Sequence, residues 1–303
     1  MSQSQLTYKG KSLRFGLKCL SFLPRSLGWW VAGVSARWMQ LSGSRSARVT
    51  DENLALCMPA LSADERHKLT RDSLQHTAYM AFELAKVWTW DWPRLQTLLQ
   101  HEIQGEPVLK QALADDRGLV ILAPHIGNWE LLGIYLQSLA PITILYQPVL
   151  AQSVNELVLD CRQRHGSTLL PTDKRGVMGL FKSLKAGGFT GILPDQVPDQ
   201  GGAFAPFYDI PAYTMTLVHN LIQRTGCQVL MGACLRDGDK LRLTFSEPDA
   251  AIYSDQEAES LAALNHSVES VVAMAPAQYQ WEYKRFRRRQ HPDEPRRYQF
   301  KRR

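Results

Sequence analysis

Gly118-Leu-Val-Ile-Leu-Ala-Pro-His-Ile-Gly-Asn-Trp-Glu130 decides the fold. An apolar, β-branched run ends at Pro124, and His125 follows directly, as at the carboxyl end of a buried strand. Gly127 permits unusual backbone angles and Asn128 is a preferred N-cap, so a helix is expected to start there. Glu130 then falls in the first turn. Within one unbroken helix, residues five apart do not face each other. His125 before the helix and Glu130 inside it can meet, and a carboxylate beside an imidazole fixes its tautomer and favours the imidazolium. The predicted product is a base aimed at a hydroxyl, with His125 as base and Glu130 as its orienting acid.

Working outward, residues 107 to 245 alternate short apolar runs with helical stretches. Strands are expected at Leu119–Ala123, Ile142–Tyr146, Ser167–Leu170 and Phe189–Leu193. Gln228–Leu235 and Leu241–Phe245 read as a hairpin across Asp237-Gly-Asp239. The pattern predicts an α/β fold, a mostly parallel sheet flanked by helices. Ligands of such sheets bind beyond the carboxyl ends of the strands. His125 is placed there, and so is Asp195, just past Ile192-Leu193-Pro194. The Pro/Gly-rich stretch from Val197 to Thr214 reads as a loop. No GxGxxG, Walker A or GxSxG pattern occurs, which excludes the common nucleotide and serine-hydrolase readings.

Residues 1 to 105 read as helical, with a capping box at Ser62-Ala-Asp-Glu65. The expected organisation is a helical N-terminal region over 1–105, an α/β domain over 106–283 and a basic tail over 284–303. Charge is segregated along it. Residues 1–50 carry eight basic residues and no acid, residues 284–303 carry ten against two, and the rest has 17 against 27. Cationic ends suit nucleic acid or an anionic membrane. The stretch Leu17–Val34, rich in Leu, Phe and Trp but interrupted by Lys18, Pro24 and Arg25, reads as a segment lying in a membrane interface. A nucleic-acid-binding protein is a third-rank reading. The body is acidic and the tail holds only Phe286, Tyr298 and Phe300 as aromatics, so no nucleic-acid partner is expected. Five cysteines without CxxC spacing and scattered histidines without HExxH predict neither a disulfide framework nor a metal site, and no cofactor is expected.

Further segments complete the pattern: Tyr146-Gln-Pro148, Arg162 and Arg164, Leu193-Pro-Asp-Gln196, Asn265 and Glu269, and Pro276-Ala-Gln-Tyr-Gln-Trp281 with Arg285-Phe286. Together they resemble the lipid A biosynthesis acyltransferase family, the late acyltransferases that add secondary acyl chains to lipid A precursors. The resemblance implies an acyltransferase on the cytoplasmic face of the inner membrane. It also implies an acyl carrier protein thioester as donor and a hydroxyl of a lipid A precursor's hydroxyacyl chain as acceptor, in lipopolysaccharide biosynthesis. Lauroyl is the expected acyl group, and another glycophospholipid acceptor is the alternative. By position His125, Glu130, Arg162 and Asp195 match the family's functional residues. Arg162, with Arg164 beside it, is expected to hold a phosphate, and Asp195 to hold Arg162 or a sugar hydroxyl. Asn265 and Glu269 are expected to be structural. One departure is Gln147 where the family often has Arg, which removes a cation near the acceptor. The cations Arg162, Arg164, Lys174, Arg175, Lys182 and Lys185 are expected to form the docking face for the acidic carrier.

Overall fold

The structure, a computed structural model, describes residues 7–146, 151–164 and 166–300, without the side chains of 163 and 164. Gln147 and Pro148 therefore lie outside the described residues, as does the side chain of Arg164. Four long helices come first: α1 (Tyr8–Ser21), α2 (Arg25–Leu41), α3 (Arg45–Cys57) and α4 (Ala63–Val87). The predicted capping box starts α4, with Glu65 N–H donating to Ser62 Oγ and Ser62 N–H to Glu65 Oε2. Short α5 (Trp92–Gln96) and α6 (Glu106–Ala114) lead into the sheet. Between them Leu99 and Gln104 bridge to the strand over Lys240–Ser246, so the chain is already on the sheet edge before residue 105.

The alternating region follows as β1 (Leu119–Leu122), α7 (Trp129–Leu139), β2 (Thr143–Tyr146), α8 (Gln152–Arg164), β3 (Thr168–Pro171), α9 (Lys174–Lys185) and β4 (Phe189–Ile192). A hairpin of β5 (Gly202–Phe207) and β6 (Ile210–Met215) comes next, then α10 (Leu217–Thr225), β7 (Gln228–Asp237), β8 (Lys240–Ser246) and α11 (Glu257–Met274). The main sheet has the order β4-β1-β7-β8, parallel except for β8. The parallel pair β2-β3 is joined to its edge by the bridge Ile142 to Phe189. Successive β1 residues feed opposite cores. Val120 and Leu122 pack with α9, α10 and α11, while Leu119 and Ile121 pack with the end of α4 and with α6 and α7. Burial on both faces is why these strands read as continuous apolar runs.

The expected loop over 197–214 is largely the β5-β6 hairpin. Its turn uses Tyr208 and Asp209, both at positive φ (50° and 59°), the backbone required by a type I′ turn. Asn or Gly usually marks such a turn, and neither is present.

Candidate active site

β1 and β4 run parallel with Leu122 opposite Ile192, so His125 and Asp195 leave the same edge of the sheet side by side. Gly127 makes the bend behind His125: its φ is +61°, and a Cβ there would lie 2.1 Å from the Cys234 carbonyl oxygen. Asn128 caps α7 by accepting from Leu131 N–H at 2.9 Å, as its sequence position predicts.

The carboxylate that holds His125 is Asp195. Its Oδ1 lies 2.8 Å from Nδ1 of the imidazole and its Oδ2 accepts the His125 backbone N–H at 2.9 Å. Burial alone would raise the Asp195 carboxyl, but the facing imidazole and the two hydrogen bonds hold it below its usual range. On the far side of the ring, Gln196 Nε2 sits 3.2 Å from His125 Nε2 and also donates to Gln280 Oε1 at 3.2 Å. An ionised Asp195 can only accept, so the Nδ1 that faces it carries a proton, and a donating Gln196 amide suits a lone pair on Nε2. Gln196 thus occupies the hydrogen-bonding position at Nε2. Trp129 meets the imidazole edge-on, with centroids 5.2 Å apart.

The expected pairing of His125 with Glu130 is corrected. Glu130 turns away to Arg162 Nη2 at 3.5 Å and to Trp88 Nε1 at 3.5 Å. A side chain in the first turn of α7 projects over α8, while the strand-end position of Asp195 points along the cleft at His125. The two acids have exchanged the roles expected of them, for Glu130, not Asp195, holds Arg162. The Arg162 guanidinium also lies 5.2 Å over the Tyr146 ring. The start of a helix such as α7 is where backbone amides can face a developing oxyanion. Those of Gly127 and Asn128 are spent on the Gln278 and Cys234 carbonyls. Helix geometry leaves the first-turn N–H groups of Trp129 and Glu130 for that role.

Sequence reasoning missed the support beneath the turn. Arg236 donates to Glu83 through Nε (3.0 Å) and Nη2 (2.7 Å), and Asn128 Nδ2 donates to the same carboxylate at 3.0 Å. Both charged side chains are buried. His76, 3.4 Å from Arg236 through Nδ1, is pushed down to about 3 by burial and by that guanidinium. The signal was a charge inside apolar runs, Glu83 after Ala81-Phe82 and Arg236 after Cys234-Leu235. Asn265 and Glu269 are structural as expected. Asn265 Nδ2 donates to the Pro206 carbonyl and to Thr214 Oγ1, and Glu269 accepts from Tyr208 N–H at 2.7 Å.

Fold and site together place a carboxylate-held imidazole at the carboxyl edge of a parallel sheet. A family model for the bacterial lipid A biosynthesis acyltransferases matches residues 5–288, and the chain belongs to that family of acyltransferases. Two Escherichia coli K12 proteins are among its relatives. A lipid A biosynthesis palmitoleoyltransferase is 26% identical over 249 residues, covering 81% of this chain and 80% of that protein. A lipid A biosynthesis lauroyltransferase is 25% identical over 272 residues, covering 87% and 85%. A phosphatidylinositol mannoside acyltransferase of Mycolicibacterium smegmatis is 27% identical over 157 residues, about half of each chain.

Proposed function

We propose that the protein transfers a lauroyl chain from an acyl carrier protein thioester to a hydroxyl on a hydroxyacyl chain of a lipid A precursor. The observation that carries the mechanism is the Asp195–His125 pair with its basic Nε2 turned into the cleft. Nε2 takes the hydroxyl proton as the oxygen attacks the thioester carbonyl, and a C–O bond forms. The tetrahedral oxyanion then collapses, the C–S bond breaks, and the imidazolium returns its proton to the departing thiolate. Asp195 fixes the tautomer and stabilises the imidazolium. Arg162, held by Glu130 at 3.5 Å, has among the described residues most of its fork left for a phosphate of the acceptor or of the donor's prosthetic arm.

The same reading sets the enzyme on the cytoplasmic face of the inner membrane, lying on it through α1 and α2. Among the described residues no helix is long and apolar enough to cross a bilayer. Exposed Leu27, Trp30, Val34, Trp38 and Leu41 recur at helical spacing along one face of α2, opposite buried Gly28, Ala32 and Ala36. Exposed Tyr8, Phe15 and Phe22 recur every seven residues at α1. Transfer from lauroyl-, myristoyl- and palmitoleoyl-acyl carrier protein and from lauroyl-coenzyme A to a tetra-acylated Kdo-lipid A precursor tests the reading. Preference for the lauroyl carrier thioester is expected. Product formed only on another glycophospholipid would overturn the acceptor.

A further inference from the structure

The expected docking face for the carrier does not hold together as one surface. Lys174 and Arg175 begin α9 beyond the carboxyl end of β3, at the edge that carries His125. Lys182 and Lys185 end it at the opposite edge, where a Cβ on Gly118, just before β1, would lie 2.4 Å from the Leu184 carbonyl oxygen. A twelve-residue helix spans about 18 Å between them.

A different cationic surface does sit beside the site. We propose that the concave basin lined by Lys284, Arg287, Arg288, Arg289, Arg296 and Arg297, with a volume of about 550 Å³, docks the acidic carrier that presents the acyl thioester. The proposal rests on the donor reading given above. The tail is folded to build this basin. Arg289 donates to the Pro292 and Glu294 carbonyls, Lys284 lies over the Tyr298 ring, and Arg297 lies over Phe286. Carbonyls and rings hold the cations without neutralising them. Among the described residues, Asp199 at 3.9 Å from Arg287 is the carboxylate that pairs with the group. Six positive charges held this close repel one another, and an anionic partner offsets that repulsion.

The basin also touches the catalytic loop. Arg287 donates to the Val197 carbonyl and Arg288 to that of Asp199, each at 3.1 Å, and Val197 follows Gln196, which contacts His125. A thioester arm leaving the basin therefore starts next to the base. A protein fits better than a bilayer, because the aromatics here, Phe286 and Tyr298, are buried beneath the cations. The exposed apolar stripes that an interface needs are on α1 and α2. The family match ends at residue 288, so Arg289, Arg296 and Arg297 lie beyond it.

The test uses the full chain in detergent with Arg288→Glu/Arg296→Glu, compared with Arg288→Lys/Arg296→Lys and with Lys182→Glu/Lys185→Glu. Kinetics with lauroyl-acyl carrier protein are measured alongside direct binding of the holo carrier by fluorescence anisotropy. The Arg288/Arg296 reversal is expected to raise KM and Kd for the carrier about tenfold at low salt, the lower end of electrostatic steering, with kcat changing less. High salt should close the gap to wild type, and the lysine variant should stay near it. Carrier binding that survives the reversal, or falls equally with the α9 reversal, overturns the basin and leaves the donor reading standing. So does a variant that loses only its binding to anionic vesicles. A wild-type chain that neither binds the carrier nor prefers its thioester over coenzyme A overturns both.

Discussion

His125 and the two acids of the site, Asp195 and Glu130, can each be changed singly. His125→Ala removes the base and should lower the rate by about 10² to 10⁴-fold with the thermal midpoint nearly unchanged. Asp195→Asn keeps the shape but offers Nδ1 a donor or a neutral acceptor, so the ring is no longer held with Nε2 basic. A triad carboxylate amidated in this way costs roughly 10⁴-fold, and a similar kcat loss is expected here. Glu130→Gln leaves His125 and Asp195 in place and loosens Arg162, so acceptor KM should rise more than kcat falls. Steady-state kinetics of the three variants separate the roles, and a Glu130→Gln defect in kcat as deep as that of Asp195→Asn would restore Glu130 as the orienting acid. The sequence placed all three residues in one cleft but paired them wrongly. A five-residue spacing suggests a local pair, whereas the partner that matters is 70 residues away. Only the parallel register of Leu122 with Ile192 sets its side chain against the ring.

At the scale of elements, the turn that presents His125 is clamped from below by α4 and β7 through the buried pair of Glu83 and Arg236. Removing one partner leaves an uncompensated buried charge, so Arg236→Met should cost about 3–5 kcal/mol in denaturant unfolding. Restoring neutrality with Glu83→Gln in the same chain should recover part of that loss. His76 in the same cluster adds a pH dependence whose sign is fixed. Its pKa is about 3 when folded, against 6.5 for the free side chain, so the unfolded chain binds the extra proton between those values. Stability contributed by keeping it neutral is present above pH 6.5 and is lost as pH falls toward 3. The difference in thermal midpoint between wild type and His76→Gln should therefore move in favour of the variant from pH 7 to pH 4. A pH-independent difference would remove His76 from the acid response. Periodicity made most elements legible, including the strands on either side of the site and the capping box of α4. It missed the β5-β6 hairpin because Tyr208-Asp209 takes a turn backbone usually signalled by Asn or Gly. It missed the clamp because a long-range ion pair leaves no spacing to read.

Over the whole molecule, the charge segregation visible in the sequence divides into two surfaces with different chemistry. The amino-terminal helices combine exposed cations with exposed aromatic and aliphatic side chains, while the carboxyl-terminal cations cover theirs. The first surface suits an interface where apolar burial and electrostatics act together, and these respond differently to salt. Trp30 and Trp38 are 66% and 69% exposed on the outer face of α2, away from its packing against α4, so replacing them leaves the helix pair intact. With both changed to Ser, vesicles containing anionic lipid should still bind the protein at low ionic strength, through Lys and Arg alone. At high ionic strength the variant should be released while the wild type sediments with the vesicles. Each indole buries a large apolar area in the interface, at roughly 25 cal/mol per Å² removed from water. Two of them should therefore shift the partition coefficient by well over tenfold in high salt. Wild-type and variant proteins released together by salt would place the anchor outside α2. A salt-resistant variant would put the apolar contribution on α1, where Phe15 and Phe22 are the side chains to change next.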